Sequence, residues 1–177
     1  GPAKTMKELT ALARARPGEL NFGANPGSPN HLAIELINSM AKVKMQFVGY
    51  KGAAPAVTDV VAGQIQVVSA GFPSVIASVR SARLRPIAVT SEARSPLLPQ
   101  VPRAGESGLP GYNVTSWYGV FAPLGTPAPI VDKLSTEVAA ALKAPDVAER
   151  LATMGAQAAP TTPEEFGRIV RRESARW

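Results

Sequence analysis

Cysteine is absent from this 177-residue sequence, and histidine occurs once, at His31. The first absence excludes disulfide scaffolds, thiol nucleophiles and zinc–thiolate centres. A single imidazole excludes a multi-histidine metal centre. No hydrophobic run approaches the ~20 apolar residues that a membrane-spanning helix requires. Converging carboxylates of the kind that cleave glycosidic bonds are not legible either. Glu35 and Asp59 fall in separate helical segments, and Glu92 and Glu106 fall in a stretch rich in proline and glycine. What remains is a chain that is 45% hydrophobic and 18% charged, a globular composition long enough for one domain or two small ones.

Charge is unevenly spread. Residues 1–117 carry 12 Lys+Arg and 6 Asp+Glu, a net +6, whereas residues 118–177 carry 7 of each and are neutral. Arg80, Arg83, Arg85, Arg94 and Arg103 form a dense group opposed in that stretch by Glu92. Such asymmetry has two readings: attraction of an anionic partner, or a solvated face. The basic residues are not interleaved with aromatics, and no nucleic-acid recognition motif is present, so nucleic acid is not the expected partner.

Hydrophobic periodicity predicts alternating elements. A helix runs from Thr5, with Thr5 and Glu8 at capping-box spacing, and ends at Pro17-Gly18. Strands are predicted at 20–23, 45–48, 65–69 and 84–90, and helices at 29–42, 53–62 and 73–81. This order is that of an α/β fold with a mostly parallel sheet flanked by helices. After the irregular stretch 91–111 come a strand at 114–121, helices at 130–143 and 146–154, a short strand at 156–159, and a helix capped by Thr162-Pro163.

In a parallel sheet, ligands bind where strands end and helices begin. Three loops qualify. In the first, residues 23–31, Ser28 is a natural N-cap and Pro29 suits the first helical position. The Ser28 hydroxyl is placed either to cap the helix or to meet a ligand, and the amides of the helix start favour an anion. His31 has no legible nucleophile or orienting acid around it, which leaves ligand hydrogen bonding or a structural role in the first turn. The second loop, residues 48–54, lacks the phosphate-binding P-loop pattern. It does place Lys51 and Gly52 at a strand-to-helix junction, where the ammonium either meets an acid or is solvated. Tyr50 either presents its phenol to the cleft or packs inward. The third loop, residues 69–74, offers Ser69, Ser74 and the glycine amide of Gly71 as donors. Several anion donors with no nucleophile–base pair favour binding over catalysis, so no catalytic residue, metal or cofactor is expected.

The order of short motifs then resembles one family. Gly27-Ser28-Pro29-Asn30-His31-Leu32, Tyr50-Lys51-Gly52 with Pro55 to Asp59 and Gly63-Gln64, Ile87 to Ser91, and Glu106 to Tyr112 appear in sequence. Ser116 to Gly119 and Gly125-Thr126-Pro127 follow them. The chain resembles the extracytoplasmic solute-binding receptors of tripartite tricarboxylate transporters, the Bug or TctC-like family, over nearly its whole length.

That resemblance implies a periplasmic-binding-protein-like lobe of the type II Venus flytrap kind. It also implies a periplasmic receptor that captures a small carboxylated organic acid for membrane transporter subunits without changing it. Family members hold the carboxylate with loop amides, small hydroxyls and ordered water, which carries over here to Ser28, His31, Tyr50, Lys51, Gly52 and Gly71. Gly49 stands where the family usually has proline, Gln66 where it has Asp, and Arg103 where it has Thr. Ser69-Ala70-Gly71 replaces a segment that often carries Asp, which favours a plain acid over an amino acid. The resemblance makes residues 1–117 the second, ligand-binding lobe and 118–177 the segment returning to a first lobe whose N-terminal part is not in this sequence. A dimer or a swapped packing through 118–177 is then expected, or helices that expose apolar surface. Two rival readings stay open: the effector-sensing domain of a transcription regulator, and an α/β enzyme acting on a small anionic substrate.

Overall fold

A computed structural model describes all residues, 1–177, and the chain divides into two compact units, Gly1–Ser116 and Trp117–Trp177. In the first unit, helix α1 (Met6–Ala15) starts at Thr5, whose hydroxyl accepts from the Glu8 amide at 3.2 Å. Met6, Leu9 and Ala13 recur at helical spacing and are its buried face. Strand β1 (Asn21–Ala24), helix α2 (Pro29–Ala41), strand β2 (Gln46–Gly49), helix α3 (Ala53–Ala62), strand β3 (Val67–Val68) and helix α4 (Phe72–Arg80) follow. The three strands form a parallel sheet in the order β2-β1-β3, with Phe22 opposite Phe47 and Val67.

The central strand alternates between two faces. Phe22, fully buried, points into a core with Met6, Leu9, Leu20, Ile34, Ile37, Met45, Leu109 and Tyr112, the side of α1 and α2. Gly23 points the other way, against Ile65, Tyr50 and Ala56 of α3. The Asn38 side chain clamps α2 to the entry of β2: its Oδ1 accepts from the Met45 amide at 3.1 Å and its Nδ2 donates to the Met45 carbonyl at 3.2 Å.

Three predicted strands are not strands in the structure. Residues 84–90 do not join the sheet: Pro86 has no N–H to give a ladder. Val89 instead makes one parallel bridge to Arg103, donating to the Pro102 carbonyl at 2.9 Å and accepting from the Ala104 amide at 2.9 Å. Residues 114–121 have the composition of a strand and no neighbouring strand to pair with, apart from a single bond from the Val114 amide to the Thr90 carbonyl. Residues 156–159 are irregular for the same reason. β3 is shorter than the predicted 65–69, because the Gln66 side chain takes a ladder position, its Oε1 accepting from the Asn21 amide at 2.8 Å.

The irregular stretch 91–111 is packed rather than loose. It contains a 3-10 turn at Ala104–Glu106, and Leu98 and Val101 join Val89 in a small core against Phe72, Ile76 and Val79 of α4. Glu106 staples this region. Its carboxylate accepts from the Arg94 Nε at 2.7 Å, the Arg103 Nε at 3.2 Å and the Arg103 amide at 3.0 Å. The arginine group is therefore not opposed by Glu92 alone, and two of its five members, Arg94 and Arg103, pair with Glu106. Arg85 is turned to the carbonyls of Gly1 and Ala3.

The Arg103 amide bond, together with the two guanidinium groups, holds the Glu106 carboxyl below its ordinary value of 4.5. A carboxyl depressed in the folded state stabilises above its unfolded value, and that contribution disappears as pH falls through the folded one. Thermal melts from pH 6 down to about pH 2 are thus expected to show a loss of stability that Glu106→Gln largely removes, and melts of equal pH dependence would contradict the staple.

The second unit comprises α5 (Ala128–Lys143), α6 (Pro145–Thr153) and α7 (Pro163–Arg176). Thr162 and Glu165 close a reciprocal capping box at the start of α7. Phe166 of α7 meets Trp117 edge-on at 5.4 Å between centroids and Phe121 at 5.2 Å. A Cβ at Gly119 would overlap the Phe166 ring, so Gly119 is what lets the extended segment lie under it. No residue of these three helices is buried, Tyr118 and Leu124 are almost fully exposed, and Val120 is largely exposed.

Candidate functional site

Parallel strands deliver three helix starts to one edge of the sheet of the first unit: α2 after β1, α3 after β2, and α4 after β3. Because β1 is central, the first loop lies between the other two. The Tyr50 amide donates to the Ala24 carbonyl at 2.9 Å, which ties the second loop to the first. The Ser69 hydroxyl reaches Asn30 Oδ1 at 3.5 Å, which ties the third to the first. Ser28, His31, Tyr50, Lys51, Gly52 and Gly71 therefore all sit on this edge, at or beside a helix start.

They are not equivalent donors. At α2, the Ser28 amide donates to Asn25, Pro29 has no N–H, and the His31 amide donates to the Ser28 hydroxyl oxygen. Only the Asn30 amide is left over, with the proton of the Ser28 hydroxyl. At α4, Gly71 is an N-cap without a side chain, Pro73 has no N–H, and the Ser74 amide turns back to the Gly71 carbonyl at 3.0 Å, which leaves the amides of Gly71 and Phe72 without a protein acceptor. At α3 no side chain caps the helix, and the amides of Gly52, Ala53 and Ala54 have no protein acceptor. Gly52 holds φ +138°, a conformation side-chain-bearing residues rarely adopt, with open space where a Cβ would stand. Beside it the Lys51 ammonium is exposed and forms no ion pair. The α3 start thus has three free amides, against two at α4 and one at α2, at the positive end of a helix dipole and next in sequence to Lys51.

His31 is engaged on both nitrogens. Nδ1 accepts from the Gly27 amide at 3.2 Å, Nε2 faces Glu35 Oε1 at 3.6 Å, and the ring stacks on Phe47 at 3.9 Å between centroids. An imidazole so placed shapes the first loop and has no free lone pair with which to act as a base. Tyr50 is turned inward: its hydroxyl donates to Asp59 Oδ2 at 2.7 Å. That bond, with burial and the Asp59 charge, holds the phenol above its ordinary value of 10.0, so it stays a proton donor throughout neutral pH.

The sequence places Asp59 alone in a helical segment and Gly23 and Asn30 within the first loop, and it gives Asn30 and Phe47 no role of their own. Asp59 lies nine residues from Tyr50, a spacing with no helical or strand signature because a loop separates them. Asn30 in a first helical turn was the one available signal. No cluster of three or more His, Asp or Glu that could hold a metal occurs.

A parallel sheet with helix starts gathered at one edge, lined by anion donors and no nucleophile, is the build of a solute-binding lobe. The family model described as tripartite tricarboxylate transporter family receptor (TctC) matches residues 1–177, and the chain belongs to that family. It is 39% identical over 98% of its length to the UPF0065 protein of the tcbD-tcbE intergenic region of Pseudomonas sp.. It is 34% identical, again over 98%, to the protein BugT of Bordetella pertussis. The chain spans about half the length of these curated relatives, 52% and 53%.

Among solved structures it is similar to R. palustris Rpa4515 with adipate, with a TM-score of 0.90 and 37% identity over 99% of this chain and 59% of the other. It is similar to MatC of Rhodopseudomonas palustris with bound malate, with a TM-score of 0.85 and 33% identity over 99% and 61%. The periplasmic binding protein BugD superposes with a TM-score of 0.87 and 30% identity over 100% and 60%. The fold is thus that of periplasmic binding proteins, and the family and its structural neighbours are solute-binding proteins. No helix is long and apolar enough to cross a membrane.

Proposed function

We propose that residues 1–117 form the second, ligand-binding lobe of a periplasmic receptor for a small carboxylated organic acid, and that residues 118–177 are the segment returning to the first lobe. The receptor passes its acid unchanged to a tripartite transporter and has no enzymatic step. The observation that carries this reading is the α3 start, where three unpaired amides follow directly on the exposed, unpaired Lys51. A carboxylate oxygen accepts from such amides as an anion accepts from any uncapped helix, and Lys51 adds a positive charge with no acidic partner in the protein. Ser28 and Gly71 supply donors from the flanking loops, while His31 and Tyr50 act by shaping the edge. The two solved neighbours holding adipate and malate, both dicarboxylates, support the ligand class. None of the three loops carries an Asp or Glu to hold an ammonium group, and Asp59 beside them is taken by the Tyr50 hydroxyl. A plain acid therefore fits better than an amino acid.

The test is a 1H–15N NMR titration of the chain with adipate, malate, and a neutral diamide control, because NMR detects binding in the millimolar range. Shifts are expected at Asn30, Gly52, Ala53 and Gly71 with the acids and not with the diamide. Lys51→Glu is expected to weaken acid binding about tenfold, ~1.4 kcal/mol, while leaving the melting temperature nearly unchanged. No shift with any carboxylate, or equal shifts with the diamide, would overturn the reading.

A further inference from the structure

Tyr50 is held at both ends. Its backbone amide is bound to the central strand through the Ala24 carbonyl at 2.9 Å, and its phenol is bound to α3 through Asp59 Oδ2 at 2.7 Å. Between these anchors the ring edge lies over Gly23, 2.8 Å from where a Cβ would stand there. Nothing comparable holds the next two residues. Lys51 is exposed, a Cβ at Gly52 would meet open space, and neither amide has a protein acceptor. The 51–53 turn that leads into the α3 amides is therefore tied to the sheet edge through Tyr50, the residue that immediately precedes it.

We propose that Asp59 is a positioning residue for acid binding: through the Tyr50 phenol it holds the 51–53 turn in the geometry that receives a carboxylate, without touching the ligand itself. This rests on the function proposed above and assigns a role to a carboxylate that an anion site would otherwise exclude. The sign of the effect separates the two possible roles. An acid near an anion site repels the ligand, so removing its charge should tighten binding if charge were all that mattered. If Asp59 acts by holding Tyr50, removing it should weaken binding despite the lost repulsion. Preorganisation is what is lost, because the ligand would then have to order the turn on arrival.

Four variants of the chain, Tyr50→Phe, Asp59→Ala, Asp59→Asn and the double Y50F/D59A, are titrated with adipate by NMR, with a thermal melt of each to confirm folding. Tyr50→Phe and Asp59→Ala are each expected to weaken binding about tenfold, the cost of a hydrogen bond to a charged acceptor. The double variant should be no weaker than either single one, since both remove the same bond. Asp59→Asn keeps an acceptor oxygen and should recover part of the loss. Unchanged or tighter binding by Asp59→Ala, additive losses in the double variant, or Asp59→Asn as weak as Asp59→Ala would each overturn the proposal. A role confined to folding stability would lower the melting temperature and leave the affinity of the folded protein alone.

A second measurement needs no ligand. Backbone 15N relaxation of the free protein should show Lys51–Ala53 ordered in the wild type and more mobile in Tyr50→Phe and Asp59→Ala. If the wild type bound no acid at all, the receptor reading would fail, and relaxation would still decide whether Asp59 orders the turn; unchanged order at these residues overturns it.

Discussion

Phe22→Ala is expected to destabilise the first unit by about 3–5 kcal/mol, the usual cost of deleting a fully buried phenyl ring. Phe22 has no solvent exposure, sits on the central strand, and contacts the cores of α1, α2 and the segment around Tyr112 at once. Two losses add. The ring's transfer free energy disappears, and the cavity cannot collapse easily because parallel neighbours fix β1 on both sides. A domain's whole stability is about 5–15 kcal/mol, so a loss of this size removes a large part of it. Calorimetry should show the unit's transition lowered by more than ten degrees, on the basis of roughly 4 °C per kcal/mol at this size. Phe47→Ala, on the partly exposed neighbouring strand, provides the comparison and should cost clearly less. Equal effects, or a loss at Phe22 below about 1 kcal/mol, would show that the core is not centred where the structure puts it.

Gly23→Ala sets two effects of opposite sign against each other. In a strand interior, alanine is favoured over glycine by roughly 0.5–1 kcal/mol because it has less backbone freedom to lose. Here, however, the added Cβ would stand 2.6 Å from Ile65 Cδ1, 2.8 Å from Tyr50 Cε2 and 3.1 Å from Ala56 Cβ. The Ile65 methyl can turn aside only into its own buried surroundings, and the Tyr50 ring is pinned through its hydroxyl. Overpacking of this kind costs about 1–3 kcal/mol, so the clash outweighs the propensity gain and the variant should be less stable. Gly49→Ala meets nothing closer than 3.6 Å and should leave stability nearly unchanged. Because the ring that must move at Gly23 is that of Tyr50, the variant is also expected to weaken acid binding, read by the same NMR titration. A stabilised Gly23→Ala would mean that the ring and α3 yield freely.

How much of this was readable beforehand depended on how far apart the interacting residues are. Helices with their own start signals were readable: Thr5 with Glu8, Ser28 with Pro29, and Thr162 with Glu165 are all contained within four residues. The α3 boundaries, 53–62, also follow from a local apolar period ending at a glycine in the left-handed region. Strands were readable only where a neighbour lay beside them. Residues 84–90 and 114–121 have strand composition, but a strand is defined by its pairing, and Pro86 and the absence of a neighbour prevent that pairing.

The candidate edge was half legible. Its loops could be located from the alternation of elements and from the position of glycine and proline. The roles of its side chains could not, since Tyr50 and His31 each had two readings and the sequence contained no means of choosing. The arginine group illustrates the same point, because its counter-charge, Glu106, lies beyond the stretch in which the arginines cluster.

By itself the sequence determined the chemistry that is excluded, the α/β order of elements, the helix caps and the family, because each depends on residue type or on neighbours within a turn. The tertiary structure alone decided that the sheet has three strands and that His31 is spent on Gly27 and Glu35. It also decided that the largest group of free amides lies at α3, and that the Tyr50 hydroxyl is bound to Asp59. Those outcomes depend on groups brought together from distant parts of the chain, as when the Tyr112 hydroxyl donates to the Ala33 carbonyl 79 residues away. A buried polar group must find a partner wherever the fold supplies one, and no local pattern records which partner that is.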